Sequence, residues 1–137
     1  MDEGDVRNIL AFDETMIGSD GIATGEKPHP RLWGTFPRVL GHYARDVGLF
    51  PLETAVWKMT GLTARNFGLE GRGTVAVGQA ADLVVFDAAT VRDAATYEEP
   101  KRPAEGIDAV VVNGAVTWQQ GRHTGARAGR VLKRGRG

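Results

Sequence analysis

The sequence contains no cysteine. That absence excludes a disulfide scaffold, a thiolate zinc site and thiol chemistry, and says little about compartment. Neither sign of charge is in excess, since 17 Lys and Arg balance 17 Asp and Glu. Attraction to nucleic acid or to an anionic membrane through net charge is therefore not indicated. No apolar run approaches the roughly 18 residues of a membrane helix. The opening MDEGDVR is acidic and lacks a signal-peptide core, so the expected location is the cytoplasm. At 137 residues the chain is too short for a whole (β/α)₈ barrel, which takes about 250. What is present, 42% hydrophobic and 25% charged residues, suits one globular domain's worth of chain.

Charge is uneven along the chain. Residues 1–26 hold seven acids against Arg7, whereas residues 122–137 hold Arg122, Arg127, Arg130, Lys133, Arg134 and Arg136 with no acid. Glycines interrupt this basic end and no aromatics interleave it, so a solvated or partner-docked tail is expected rather than a nucleic-acid arm.

Residues 15–19 (TMIGS) are short and largely apolar and run into Asp20-Gly21, the pattern of a strand entering a loop. Residues 21–35, with three glycines and two prolines, predict an irregular loop. Thr35 can cap a helix with Pro37 in its first turn, Val39, Leu40, Tyr43 and Val47 on one face, and Gly48 as its stop. Pro51 opens a second helix with Leu52, Val56 and Met59 on one face; Gly61 ends it. A further helical piece spans 62–67 and closes at Gly68. The period then changes. Strands are expected at 74–77 and 82–86, a turn at Gly78-Gln79, a long loop at 88–105, and a hairpin of 109–112 with 115–119. Asn113-Gly114 supplies the two positive-φ residues of its type I′ turn. A lone strand, two or three helices and about four short strands do not close a fold by themselves. They read as the last piece of something larger.

The chemistry-bearing candidate is Asp20 in Gly18-Ser19-Asp20-Gly21. A carboxylate at the C-terminal end of a strand can face a loop-built pocket, take a proton from an attacking water and return it to a leaving amine. On these four residues alone a turn or helix cap is the commoner reading. His29 and Arg31 follow, flanked and preset by Pro28 and Pro30. An arginine held this way suits a ligand carboxylate; an exposed loop is the alternative. His42 reads as a helix-surface or boundary residue and His123 as part of the basic tail. None of the three histidines has metal-site spacing. Gly68–Gly73 (GLEGRG) precedes a strand and lacks the helix N-terminus of a phosphate loop. Trp33, Trp57 and Trp118 read as packing residues.

MIGSDG at 16–21, followed by HPRLWGTFPRVLGHY at 29–43, resembles the barrel end of the N-acyl-D-amino-acid deacylases (D-aminoacylases) of the metal-dependent amidohydrolase superfamily. The resemblance continues through 52–87, GIDAVVVNGAV at 106–116 and GRHTGARAGRVLKR at 121–134, so it covers nearly the whole chain. ADLVVFD and VNG are shared across many amidohydrolases. GSDG with HPR-x-x-GTFPRVLG, and the HTGARAGR ending, are more specific to the D-aminoacyl branch.

The resemblance implies an α+β fragment: the last strand and helices of an amidohydrolase (β/α)₈ barrel plus the C-terminal part of a small β-sandwich. Residues 1–72 would end the barrel, with strand eight at 15–20 and helices over 36–69. Residues 73–137 would be the β-domain share and basic tail. It further implies a zinc-dependent hydrolase that releases a D-amino acid and a carboxylate from an N-acyl-D-amino acid. Asp20 would be its general base and acid, a possible metal contact in the intact enzyme. His29 and Arg31 would lie on the substrate side, and Asp82 would be structural. The family's zinc ligands are histidines and a cysteine from earlier strands. This sequence has no Cys and no H-x-H. The expectation is therefore zinc in the intact enzyme, none bound by this chain, and no activity of the chain alone. Nucleic acid and membrane are not expected partners. The alternatives are a non-catalytic α+β module that self-associates through surfaces a barrel would cover, and a fragment of a dihydropyrimidinase-like or dipeptidase-like amidohydrolase.

Overall fold

Asp2 accepts the Asp5 N–H at 2.9 Å and Asp5 accepts the Asp2 N–H at 3.4 Å, a reciprocal cap that starts a helix the sequence reading did not anticipate. This is α1, Glu3–Ala11, in a computed structural model that describes residues 2–135. Its Val6 and Leu10 pack on the edge of the core. Arg136 and Gly137 of the basic tail lie outside the described residues.

The expected strand at 15–19 does not form. The segment joins no ladder; its Ile17 N–H donates to Lys58 O at 3.2 Å. A strand needs a neighbour to satisfy its backbone, and the described residues offer none here. The helix expected from Thr35 starts earlier. After Pro30, α2 runs Arg31–Arg38 with Pro37 inside it, and continues as a π-helical stretch, Val39–Asp46. Pro37 has no N–H for the carbonyl four residues back, and just beyond it the helix widens to the five-residue register. Val47 N–H closes that stretch on His42 O at 2.8 Å. Helices α3 (Leu52–Met59) and α4 (Gly61–Phe67) follow as expected, and Gly68 ends α4 at φ 62°.

A four-stranded antiparallel sheet completes the chain in the order β1 (Leu83–Phe86), β2 (Ile107–Val112), β3 (Ala115–Gln119) and β4 (Arg122–His123). Asn113 at φ 47° and Gly114 at φ 81° turn the β2–β3 hairpin, as the dipeptide predicts. The strand expected at 74–77 is absent: Val75 and Val77 face solvent, and no strand among the described residues pairs with them.

The core lies under the helices, not within the sheet. Val39, Leu40, Tyr43 and Ala44 from the π-helical stretch bury against Phe50, Ala55 and Val91. Val91 belongs to the long β1–β2 connection. Its carbonyl oxygen occupies the place of a Cβ on Gly41, and a Cβ on Gly106, at φ 75°, would sit 2.6 Å from the Val91 nitrogen. Helices and β-unit thus share one core.

The β-unit has its own polar node. Asp82 accepts the Asn113 N–H at 2.8 Å and pairs with Arg72, whose other Nη donates to Asn113 Oδ1 at 2.7 Å. Partial burial opposes charge on Asp82, but Asn113 and Arg72 outweigh it and hold the carboxyl below its usual pKa. Asp82 thereby ties the hairpin turn at Asn113 to Arg72.

Candidate functional site

The site begins where the segment before α2 turns back on that helix. Asp20 takes a left-handed backbone, φ 46°, which aspartate tolerates better than most residues. Gly21 must follow it: a Cβ there would sit 2.6 Å from Leu32 Cδ1 and 3.0 Å from Leu32 Cα. Ser19 Oγ accepts the Gly21 N–H at 3.3 Å and tightens the turn. Asp20 therefore projects a carboxylate 76% open to solvent, and one oxygen meets Arg31 Nη2 at 2.9 Å.

Arg31 is the first residue of α2. Pro28 is buried and Pro30 sits at the helix start with φ −53°, so the backbone around His29 is stiff. His29 Nδ1 accepts the Arg31 N–H at 3.1 Å, and its Nε2 lies 3.1 Å from Tyr97 Oη. The three residues expected from sequence, Asp20, His29 and Arg31, are thus gathered into one linked group. Tyr97 was not anticipated. It is the only aromatic in the 88–105 loop, and nothing local distinguishes it from an exposed loop tyrosine.

Lys58 is the second residue that sequence reasoning missed. Its side chain is almost wholly buried, and Nζ donates to Phe12 O at 2.6 Å, Asp13 O at 3.3 Å and Thr15 O at 3.5 Å. Burial pushes its pKa below the usual lysine value, against the opposing pull of Asp13 and Glu14. With its own carbonyl bound to Ile17 N–H, Lys58 grips the segment that leads to Asp20 from both sides.

The other candidates play the bland parts expected of them. His42 packs edge-on against Tyr43. His123 is exposed and accepts the Gly125 N–H at 2.9 Å. Trp33 and Trp118 line a shallow apolar groove of about 250 Å³, and Trp57 carries Arg65 over its ring.

A zinc site does not fit these residues alone. Zinc takes three or four protein donors. No group of three His, Cys, Asp or Glu is placed to hold a metal among the described residues. His29 has both ring nitrogens engaged within the chain, and Asp20 is a single carboxylate.

The chain matches the amidohydrolase family over residues 8–118, and it belongs to that family. It is 69% identical over 134 residues to a D-aminoacylase from Alcaligenes xylosoxydans xylosoxydans, covering 98% of this chain and 28% of that protein. A crystal structure of D-aminoacylase superposes with a TM-score of 0.96 at 68% identity, over 98% of this chain and 28% of the other. An N-acyl-D-glutamate deacylase from Bordetella bronchiseptica, solved with zinc and a phosphonate mimic of the tetrahedral intermediate, gives 0.91 at 48% identity, over 97% and 28%. The chain spans a little over a quarter of the length of these relatives. The likeness runs to the D-aminoacyl branch, in line with the HPR-x-x-GTFPRVLG and HTGARAGR segments.

Proposed function

We propose that this chain is the C-terminal part of a zinc-dependent N-acyl-D-amino-acid deacylase. The observation that carries the reading is the Asp20–Arg31 pair at the start of α2, in a chain 69% identical to a D-aminoacylase. The solvent-facing Asp20 carboxylate takes a proton from the attacking water and returns it to the amine as the amide C–N bond breaks. Arg31, one face of whose guanidinium Asp20 occupies, holds the substrate carboxylate with its remaining donors. His29 fixes the Arg31 backbone. The zinc of this reading needs donors beyond the described residues, with Asp20 as one possible contact, so the chain alone is inactive.

In the same reading residues 1–72 end a (β/α)₈ barrel, with 15–20 as its eighth strand. Residues 73–137 are the β-sandwich share and tail. The 15–19 segment, which joins no ladder among the described residues, supports this. So does the open edge of β1, where Leu83, Val84 and Val85 are all exposed. The substrate is a small N-acyl-D-amino acid, and neither nucleic acid nor a membrane is a partner. The location is cytoplasmic; no helix among the described residues is long and apolar enough to cross a membrane.

A chimera tests the proposal. This chain replaces the matching stretch of the D-aminoacylase, and hydrolysis of N-acetyl-D-methionine is followed with zinc present. Activity that falls about 10²–10⁴-fold with Asp20→Ala is the expected result. A chimera whose Asp20→Ala form is as active as its parent would sink the assignment. For the chain by itself, zinc-dependent turnover would contradict the claim that it is inactive alone.

The exposed β1 edge also favours a second reading, self-association of the chain through surfaces a barrel would cover. Sedimentation at several concentrations decides it: a monomer throughout rejects self-association.

A further inference from the structure

The β1–β2 connection runs along α2 towards the site. Val91 O abuts Gly41, Asp93 Cβ lies 3.1 Å from the Cβ position of Gly34, and Tyr97 reaches His29 beside the helix start. Arg38 pairs with Asp93 at 3.3 Å and holds the middle of this track. Tyr97 itself is 70% exposed and contributes little to the core. Its phenol is engaged with His29, ring edge to ring face, with centroids 5.2 Å apart at 75°.

The hydrogen bonds assign a proton. His29 Nδ1 accepts the Arg31 N–H, so in the neutral ring the proton sits on Nε2. Nε2–H then donates to Tyr97 Oη at 3.1 Å, which leaves the phenol O–H free to donate outward. We propose that Tyr97 is a positioning residue of this site: it holds the Nε2–H tautomer and ring plane of His29, and through His29 the placement of Arg31 beside Asp20. The inference rests on the reading of Asp20, His29 and Arg31 as one site, and needs no catalytic activity of the chain.

Long-range ¹H–¹⁵N spectra of His29 in the 137-residue chain test it, with Tyr97→Phe as the variant. Phenylalanine keeps the ring contact and removes only Oη. Free imidazole already favours the Nε2–H form, so the difference between the two proteins is diagnostic. The wild type is expected to show one tautomer, Nε2 protonated and Nδ1 accepting. In Tyr97→Phe both nitrogen signals move towards those of an exchanging free imidazole, and the Arg31 amide exchanges about tenfold faster. Amide signals of Val110 and Trp118 stay in place, because the substituted side chain is exposed. Identical His29 nitrogens and identical Arg31 exchange in the two proteins overturn the proposal, as does a protonated Nδ1 in the neutral wild-type ring. An inactive chimera would sink the deacylase reading and leave these spectra unaffected, so the two can fail separately.

Discussion

The Val91 carbonyl oxygen fills the space that a side-chain carbon on Gly41 would need. The contact is backbone against backbone, so it cannot relax by a rotamer change. It joins the helices that carry Arg31 to the β-unit that carries Tyr97, and it sits in the middle of the core. Gly41→Ala is expected to destabilise the chain by about 1–3 kcal/mol, the usual cost of overpacking. Gly129→Ala, with open space around its Cβ, is the control and should change little. Denaturant unfolding of both variants checks this; equal midpoints would mean that the Gly41 contact is looser than described.

Lys58 should behave as a buried, fully bonded cation. Lys58→Met leaves the carbonyls of Phe12, Asp13 and Thr15 without their donor and is expected to cost about 3 kcal/mol. The pH effect has a definite sign. A lysine pKa lowered on folding means that the folded state binds fewer protons than the unfolded state. Stability therefore rises as pH climbs from the folded value to the ordinary 10.5. Lys58→Met should lose that rise. A Lys58 titration midpoint at or above that of an exposed lysine, read by NMR, would refute it.

Asp82 contributes the opposite limb. Its carboxyl is held below 3.8, so its stabilisation is present above that value and is lost as pH falls through the lower folded pKa. Asp82→Asn keeps one acceptor for the Asn113 N–H but no charge for Arg72. The acid limb of the stability curve should become shallower in this variant. An unchanged acid limb would assign acid unfolding to other carboxylates.

The Asp20–Arg31 pair separates function from stability. Both side chains are substantially exposed, at 76% and 43%, and such pairs stabilise weakly. Arg31→Ala should change the unfolding free energy by no more than about 0.5 kcal/mol. In the chimera the same substitution should raise KM for an N-acyl-D-amino acid about tenfold or more, through loss of a charge-assisted contact. A large loss of stability with KM unchanged would make Arg31 a structural residue.

Legibility from sequence followed the range of the forces involved. The β2–β3 hairpin, the breaks at Gly48 and Gly68, and the face of the π-helical stretch rest on local sterics and periodicity, and they are where the sequence puts them. The break expected at Gly61 falls at Thr60 instead, and α3 buries Ala55 and Lys58 more deeply than Leu52, Val56 and Met59. The first helix was hidden because its capping residues, Asp2 and Asp5, read as part of an acidic run. Pro37 was misjudged as a helix start; α2 had already begun at Arg31, and the wider register beyond Pro37 accommodates it. The strands expected at 15–19 and 74–77 have strand-like composition, yet a ladder requires partners that local composition cannot supply.

The same division runs through the site. By itself the sequence determined the residue types, the turn at Gly18–Gly21, the stiff Pro-His-Pro segment and the family likeness, because each depends on neighbours along the chain. Only the tertiary structure decided that Asp20 meets Arg31, that Tyr97 closes on His29 from 68 residues away, and that Lys58 holds the segment ahead of Asp20 by its carbonyls. The Tyr97–His29 contact forms where Val91 docks on Gly41 and the long loop follows α2 to the site. That packing joins residues distant in the chain, and no local pattern encodes it.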